Sequence, residues 1–233
     1  MKIGVVILAR LSSKRLPGKA LMEVNEKKIL SYIIERLERV VSRKEIVLAT
    51  SVETSDDLLV EFARQEAIYC YRGDMENVAQ RFYHAASLFN WDFAVRINGD
   101  NVFVDIGLLS KMLEFTAENK YDFISNVKGR TFPKGMSIEI VRLCHYRKLL
   151  PEIYRNAAYR EHVMLYMYEN EKQNYHFVIN TTLPGAAGLQ LALDTKEDFE
   201  RTKKIIKAFN GNHWEYNLKE ILNIYRKQIN ENI

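Results

Sequence analysis

The sequence predicts an α/β fold of three layers, a mostly parallel sheet covered by helices on both faces. Three observations predict it. Over residues 1–127, short apolar runs bounded by turn residues alternate with segments of helical periodicity, the rhythm of strand–crossover–strand units. The length of 233 residues, with 47% apolar and 27% charged content, suits one large domain with a well-filled core. From about residue 130 the rhythm changes, which marks residues 130–180 as an excursion from the sheet within a single domain, residues 1–233.

The elements follow in order. Residues 3–9 are an apolar run and read as the first strand. Residues 27–41 place Ile29, Leu30, Ile33, Ile34, Leu37, Val40 and Val41 on one helical face, with Glu35, Arg36, Glu38 and Arg39 opposite. A strand over 45–50 follows. Thr54 and Asp57 then have the spacing of a capping box before Leu58, Leu59, Phe62 and Ala63. Residues 67–71 read as a strand, and Asp74 as the cap of a helix reaching about residue 89. Another strand, 92–97, ends in Asn98-Gly99-Asp100; a helix over 106–118 and a strand over 121–127 complete the regular part.

Beyond it, Pro133 and Gly135 punctuate a turn before 137–141. Two helices are expected at about 144–150 and 159–170, in a stretch rich in tyrosine, followed by a strand at 175–180. This excursion reads as a substrate lid or an oligomer contact. Residues 189–193 return as a core strand ending in Asp194. Thr195 caps a helix to about residue 209, and 216–229 form a last amphipathic helix with Leu218, Ile221, Leu222, Tyr225 and Ile229 on one face.

Composition narrows the function classes. The net charge of +4 is too mild to indicate nucleic acid but suits an anionic small substrate. Two cysteines, Cys70 and Cys144, and five histidines supply neither a disulfide framework nor a cysteine-rich zinc site. The apolar run at 3–9 is too short for a signal sequence and Arg10 ends it, and no stretch has the length of a membrane span. A soluble cytoplasmic protein is expected. No H-E-x-x-H, G-x-S-x-G or Walker A motif is present.

Right-handed crossovers bring the C-terminal ends of parallel strands to one rim. The loops at 10–19, 50–54, 71–74 and 98–101 should gather there. The first, RLSSKRLPGK, carries Arg10, Ser12, Ser13, Lys14, Arg15 and Lys19 directly after a buried strand. It is either a solvated basic loop or a cradle for polyphosphate. Asp100 and Asp194 each follow a strand; they either cap turns or share one Mg²⁺. The tyrosines of 146–168 fit a core or a dimer face better than base stacking.

These segments together resemble the cytidylyltransferases that make CMP-sugar acids, the 3-deoxy-manno-octulosonate and acylneuraminate enzymes, and most nearly their spore-coat-polysaccharide branch. The resemblance runs through ARLSSKRLPGK (9–19), ATSVETSDD (49–57), RGDMENVAQRF (72–82), RINGDNVFVD (96–105), FISNVKGRTFPKGMSIEIV (123–141), YREHVMLYMYEN (159–170) and LALDTKEDFERTKKI (191–205). It implies a Rossmann-like nucleotidyltransferase fold with an inserted substrate and dimerisation segment, acting as a homodimer without nucleic acid or membrane. It implies coupling of CTP to an acidic sugar, giving CMP-sugar and pyrophosphate for surface polysaccharide synthesis. By the same resemblance, Arg10, Ser13, Arg15 and Lys19 hold the CTP phosphates, Ala9 belongs to the same nucleotide site, and Thr50, Arg72 and Gly73 lie near cytosine and ribose. Asp100 and Asp194 are the Mg²⁺ ligands, and Arg10, Arg15 and Lys19 join them in catalysis. Arg96, Lys128, Arg130, Gly135, Glu139 and His162 match positions in or near the sugar pocket.

The sequence departs from the family pattern at four places: Ser12 where Gly is frequent, residues 25–28 in place of a Gly- and Pro-bearing turn, and Val102 and Lys196 where Pro is usual. No general base is assigned. Two other functions compete. A nucleotide-sugar glycosyltransferase would want a D-x-D motif, which Asp100-Asn101-Val102 does not supply. A silent nucleotide-binding module would have little use for Asp100, Asp194 and the loop cations together.

Overall fold

Strand β1 (Ile3–Leu8) lies inside a seven-stranded sheet in a computed structural model that describes residues 1–230. Val5, Val6 and Ile7 are completely buried, as a strand covered on both faces requires. Their side chains alternate between two cores. Val5 and Ile7 pack with helices α1 (Ile29–Leu37), α2 (Asp57–Gln65) and α4 (Ile106–Ala117). Val6 and Leu8 face α3 (Val78–Ser87) and α5 (Leu143–Arg155) on the other side. The expected three layers are therefore present.

The remaining strands are β4 (Ile46–Ser51), β5 (Tyr69–Gly73), β6 (Phe93–Asn98), β7 (Phe123–Ser125), β8 (Glu139–Arg142) and β9 (Tyr175–Phe177), with β2 (Glu23–Val24) and β3 (Lys27–Lys28) in a separate hairpin. The sheet order is β5-β4-β1-β6-β8-β7-β9. β5, β4, β1 and β6 are parallel, whereas β8 runs antiparallel between β6 and β7. The chain moves outward from β1 to β4 and β5, then returns to the other side of β1 for β6. That reversal opens a crevice at the C-terminal ends of β1 and β6.

Several local expectations are corrected. The helix expected from residue 27 begins at Ile29, because Lys27 and Lys28 pair with β2 around a two-residue turn in which Asn25 and Glu26 both have positive φ. Arg36, assigned to the polar face of that helix, is fully buried: its guanidinium donates to the carbonyls of Val104, Tyr216 and His213. No capping box forms at Thr54; Asp56 occupies the N-cap and its carboxylate is used elsewhere. Asn77, not Asp74, caps α3, while Asp74 accepts from the Glu76 and Asn77 amides in the preceding turn.

The second half of the chain differs more. The helix expected over 159–170 is two short ones, α6 (Ala157–Glu161) and α7 (Leu165–Glu169), broken at His162. Residues 189–193 do not join the sheet. Their one strand-like pairing is a bridge of Gln190 to Lys134, and they pack with α8 (Lys196–Lys207) and α9 (Leu218–Asn230) in a third apolar cluster. Gly135, at φ 91°, permits this approach, since a Cβ there would stand 2.4 Å from the Ala192 nitrogen. The Ile229 side chain lies outside the described residues. Among those residues no helix is long and apolar enough to cross a membrane.

Candidate active site

The crevice holds a cleft of about 430 Å³. The end of β1 and the loop after it supply Leu8, Ala9, Arg10, Ser13, Lys14, Arg15 and Lys19; the end of β6 supplies Arg96, Asn98, Gly99 and Asp100. Two strands can approach this closely because Gly99 has no side chain: a Cβ there would lie 2.8 Å from that of Ala9. Arg81 from α3, Glu161 and His162 from the α6–α7 break, and Asp194 complete the wall.

The loop is fixed at its turn rather than along its length. Gly18 sits at φ 72°, its amide donates to the Leu11 carbonyl (2.9 Å), and its own carbonyl accepts from Leu21 (2.9 Å). The turn aims Lys19 at both strand-end carboxylates, 2.8 Å from Asp100 Oδ2 and 3.1 Å from Asp194 Oδ1. Arg15 reaches the same Asp194 oxygen at 2.9 Å. Lys19 is only 15% exposed and Arg15 is 67% exposed, so the lysine belongs to the wall and the arginine stands at the mouth.

Asp194 is placed without a strand. A capping box pins the backbone that follows it: Thr195 Oγ1 accepts from the Asp198 amide, and Asp198 Oδ2 accepts from the amides of Thr195 and Asp194. The Leu193 amide donates to the Asp100 carbonyl at 3.2 Å, which ties the two carboxylates together through the main chain.

Two carboxylates converging on one ammonium can converge on one metal ion. Among the described residues no third His, Cys, Asp or Glu joins them. This donor set fits Mg²⁺, which takes one or two carboxylates and fills its octahedron with water and phosphate oxygens. It does not fit zinc, which wants three or four side-chain ligands.

The far wall is a buried network. Arg96 donates to the Glu139 carboxylate and, at 2.7 Å, to Asn98 Oδ1. Glu139, on β8, is 3% exposed and also accepts from the Tyr168 hydroxyl at 2.6 Å. Burial and the Glu139 charge push the Tyr168 pKa well above the ordinary phenol value, so Tyr168 keeps its proton and Ser125 donates to it in turn. Burial opposes the Arg96 charge, but Glu139 more than offsets it and raises its pKa.

Other residues named from the resemblance stand away from the cleft. The Thr50 hydroxyl is buried and donates to Asp56 at 2.9 Å. Arg72 clamps the turn after β4, through the carbonyls of Ser51 and Glu53 and the Asp57 carboxylate. The Gly73 carbonyl accepts from Val52 in the same region. Lys128 pairs with Glu171 and covers Phe177; Arg130 is exposed at the end of a 3-10 turn; Gly135 is the close-approach glycine described above.

Two residues escaped the sequence reading. Asp56, completely buried, accepts from the Leu11 amide, Thr50 and Ser51, and so anchors the start of the basic loop to β4. Burial works to raise its pKa, but these hydrogen bonds outweigh it and hold the carboxyl below its ordinary value. Arg81 is 3% exposed, lines the cleft and donates to the Asp74 carbonyl at 2.7 Å. Its Nε has no partner among the described residues, and neither Arg81 nor Arg10 forms an ion pair there. Burial, then the Arg10 charge, lowers its pKa to about 10. The charges of Asp56 and Asp74 oppose that lowering without pairing directly with the guanidinium. Only the Arg at helical spacing among apolar residues could have signalled it, and that pattern reads as a solvated face.

The cytidylyltransferase family model matches residues 4–230. The spore coat polysaccharide biosynthesis protein SpsF of Bacillus subtilis is 32% identical over 212 residues, 86% of this chain and 84% of its own. A cytidylyltransferase structure from Leptospira borgpetersenii superposes with a TM-score of 0.90 at 32% identity, covering 99% of this chain and 96% of that one. A CMP:2-keto-3-deoxy-manno-octonic acid synthetase solved with CTP shares the fold, with a TM-score of 0.66 at 15% identity over 89% of this chain and 99% of its own. The chain belongs to the cytidylyltransferase family, in its spore-coat branch, and is a CTP-dependent nucleotidyltransferase.

Proposed function

We propose that the protein transfers the cytidylyl group of CTP to the anomeric hydroxyl of an acidic sugar, of the octulosonic or nonulosonic type, and that the CMP-sugar serves surface polysaccharide synthesis. The observation that carries this reading is the cleft itself, where Lys19 and Arg15 meet Asp100 and Asp194 beside Arg10 and Arg81, which have no carboxylate partner among the described residues. A triphosphate supplies anionic partners for Arg10 and Arg81. The similarity to SpsF, a spore coat polysaccharide biosynthesis protein, supports the product's destination.

The anomeric oxygen bonds to the α-phosphorus and releases its proton to solvent as the bond from that phosphorus to the bridging oxygen breaks, and pyrophosphate leaves with the electron pair. The protein contributes positioning and charge neutralisation rather than covalent chemistry. Arg10, Ser13, Arg15 and Lys19 hold the phosphates, and Arg15 offers a planar fork to the leaving pyrophosphate. Arg96 and His162, which line the opposite side, face the sugar acid; a guanidinium matches a carboxylate in two hydrogen bonds. Asp100 and Asp194 would hold Mg²⁺, which supplies polarisation of the α-phosphate and a lowered pKa for the attacking hydroxyl. The partly buried tyrosines Tyr154, Tyr159 and Tyr166 support a homodimer contact in residues 130–180, which light scattering in solution tests.

The test is a pyrophosphate-release screen of the four nucleoside triphosphates against a panel of keto sugar acids, with neutral sugars as controls. Release with CTP and one or more sugar acids is expected. Release with CTP and neutral sugars alone would overturn the acceptor class.

A further inference from the structure

Lys19 stands where the metal reading would put a divalent ion, and this has a consequence for how metal enters. Its ammonium bridges Asp100 and Asp194 at 2.8 and 3.1 Å, and Arg15 shares the second carboxylate at 2.9 Å. Two negative charges are thus matched by two positive ones. The Lys19 backbone is held by the turn at Gly18, so the ammonium can move only by pivoting about a fixed backbone position. A divalent ion bound to both carboxylates would stand beside that ammonium, and like charges at such a distance repel strongly in a partly buried wall. For the ion to enter, Lys19 must swing toward another anion. The cleft offers it none of its own beyond Glu161 near the α6–α7 break, whereas a triphosphate does.

We propose that Lys19 is a resident cation that occupies the metal position in the nucleotide-free enzyme, and so makes divalent-ion binding depend on the nucleotide. The inference rests on the metal reading given under the proposed function. The triphosphate draws the ammonium onto its phosphates and frees both carboxylates, so metal and nucleotide each tighten the other's binding by the same factor. Free Mg²⁺ does not fill the site in advance. Lys19 acts as a positioning residue in this respect, holding the two carboxylates together until the nucleotide arrives.

The experiment is titration of Mn²⁺ alone, without nucleotide, followed by the loss of the free-ion EPR signal. Wild type, Lys19→Met and the double variant Lys19→Met/Asp100→Asn are compared, with Asp100→Asn in the presence of CTP as the control for the site itself. Lys19→Met should bind Mn²⁺ at least about tenfold more tightly than wild type, because a repelling charge is gone, and Asp100→Asn should remove that gain. Melting gives a second readout. Lys19→Met should have a lower Tm in EDTA than wild type and recover it with Mn²⁺, whereas the wild-type Tm should not respond to Mn²⁺ alone. Equal Mn²⁺ affinity in wild type and Lys19→Met, with the Asp100→Asn control still weakening CTP-dependent binding, would overturn the role of Lys19 and leave the metal site standing. Mn²⁺ binding that ignores Asp100→Asn in every background would overturn the metal site, and this proposal with it.

Discussion

On the side of the loop after β1 the cleft takes its charge from cations at the rim, whereas on the β6–β8 side its charge is sunk in a buried hydrogen-bonded network. Arg15, at 67% exposed, typifies the first; Glu139, at 3%, typifies the second. The difference separates two tasks. A triphosphate brings abundant charge and needs cations that can adjust to it. A single sugar carboxylate needs one guanidinium held in one orientation, and Glu139, Tyr168 and Asn98 hold Arg96 that way. Lys19 apart, which sits in the wall between two carboxylates, the first side should therefore fail in chemistry without failing in stability, and the second in both.

The largest effect expected is Asp100→Asn, which removes a charge and almost no volume. Pyrophosphate release should fall by about a thousandfold, roughly 4 kcal/mol of barrier, with the Tm unchanged within a few degrees. Near-normal Mg²⁺-dependent turnover would show that the carboxylate pair is not the metal site. Next comes Glu139→Ala, which strands the largely buried Arg96 guanidinium and should cost about 3 kcal/mol in urea denaturation. A loss below about 0.5 kcal/mol would mean the network behaves as a surface pair, and the contrast between the two sides would collapse.

A third prediction lies behind both walls and sharpens the contrast by standing outside it. His213 is 7% exposed and burial pushes its pKa down to about 4, with Arg36 adding to the effect and Glu35 opposing it. Below the ordinary imidazole value of 6.5 the unfolded chain takes up a proton that the folded protein refuses. Stability is therefore complete above about pH 6.5 and falls as pH drops toward about 4, by roughly 3 kcal/mol in all. Melting across that window should show the loss, and His213→Gln should flatten it. An unchanged profile in His213→Gln would assign the acid sensitivity elsewhere. The smallest stability effect is expected for Arg15→Ala, whose exposed ion pair contributes under about 1 kcal/mol, although its affinity for CTP in calorimetry should drop about tenfold. A Tm loss comparable to that of Glu139→Ala would contradict its place at the mouth.

The same division governs what was legible in the sequence. Residues 10–19 and 98–100 were readable because a parallel strand buried on both faces is a continuous apolar run, and whatever follows it lies at the rim. Asp194 was readable for its position but not its setting. Leu191 and Leu193 are buried, which looks the same from sequence whether the segment joins a sheet or packs on helices. The β8–β7 side was hard to read because its strands span three or four residues and β8 reverses direction, so no period develops. Glu139 and Arg96 are 43 residues apart, and nothing local in either strand announces their partner. Asp56 escaped notice because a buried Asp that collects loop amides has the same neighbours in sequence as a cap, here the Thr54–Asp57 pair. The spacing that places Arg36 on a solvated face is likewise blind to the carbonyls of 104, 213 and 216 that receive it.

The division of labour is tested most directly by measuring KM for CTP and for the sugar acid side by side in Arg15→Ala and Arg96→Lys. Arg15→Ala should raise KM for CTP about tenfold and leave that for the sugar acid unchanged, while Arg96→Lys should do the reverse, because a lysine keeps the charge and loses the fork. Parallel shifts in both constants for both variants would contradict a cleft divided into a phosphate wall and a sugar wall.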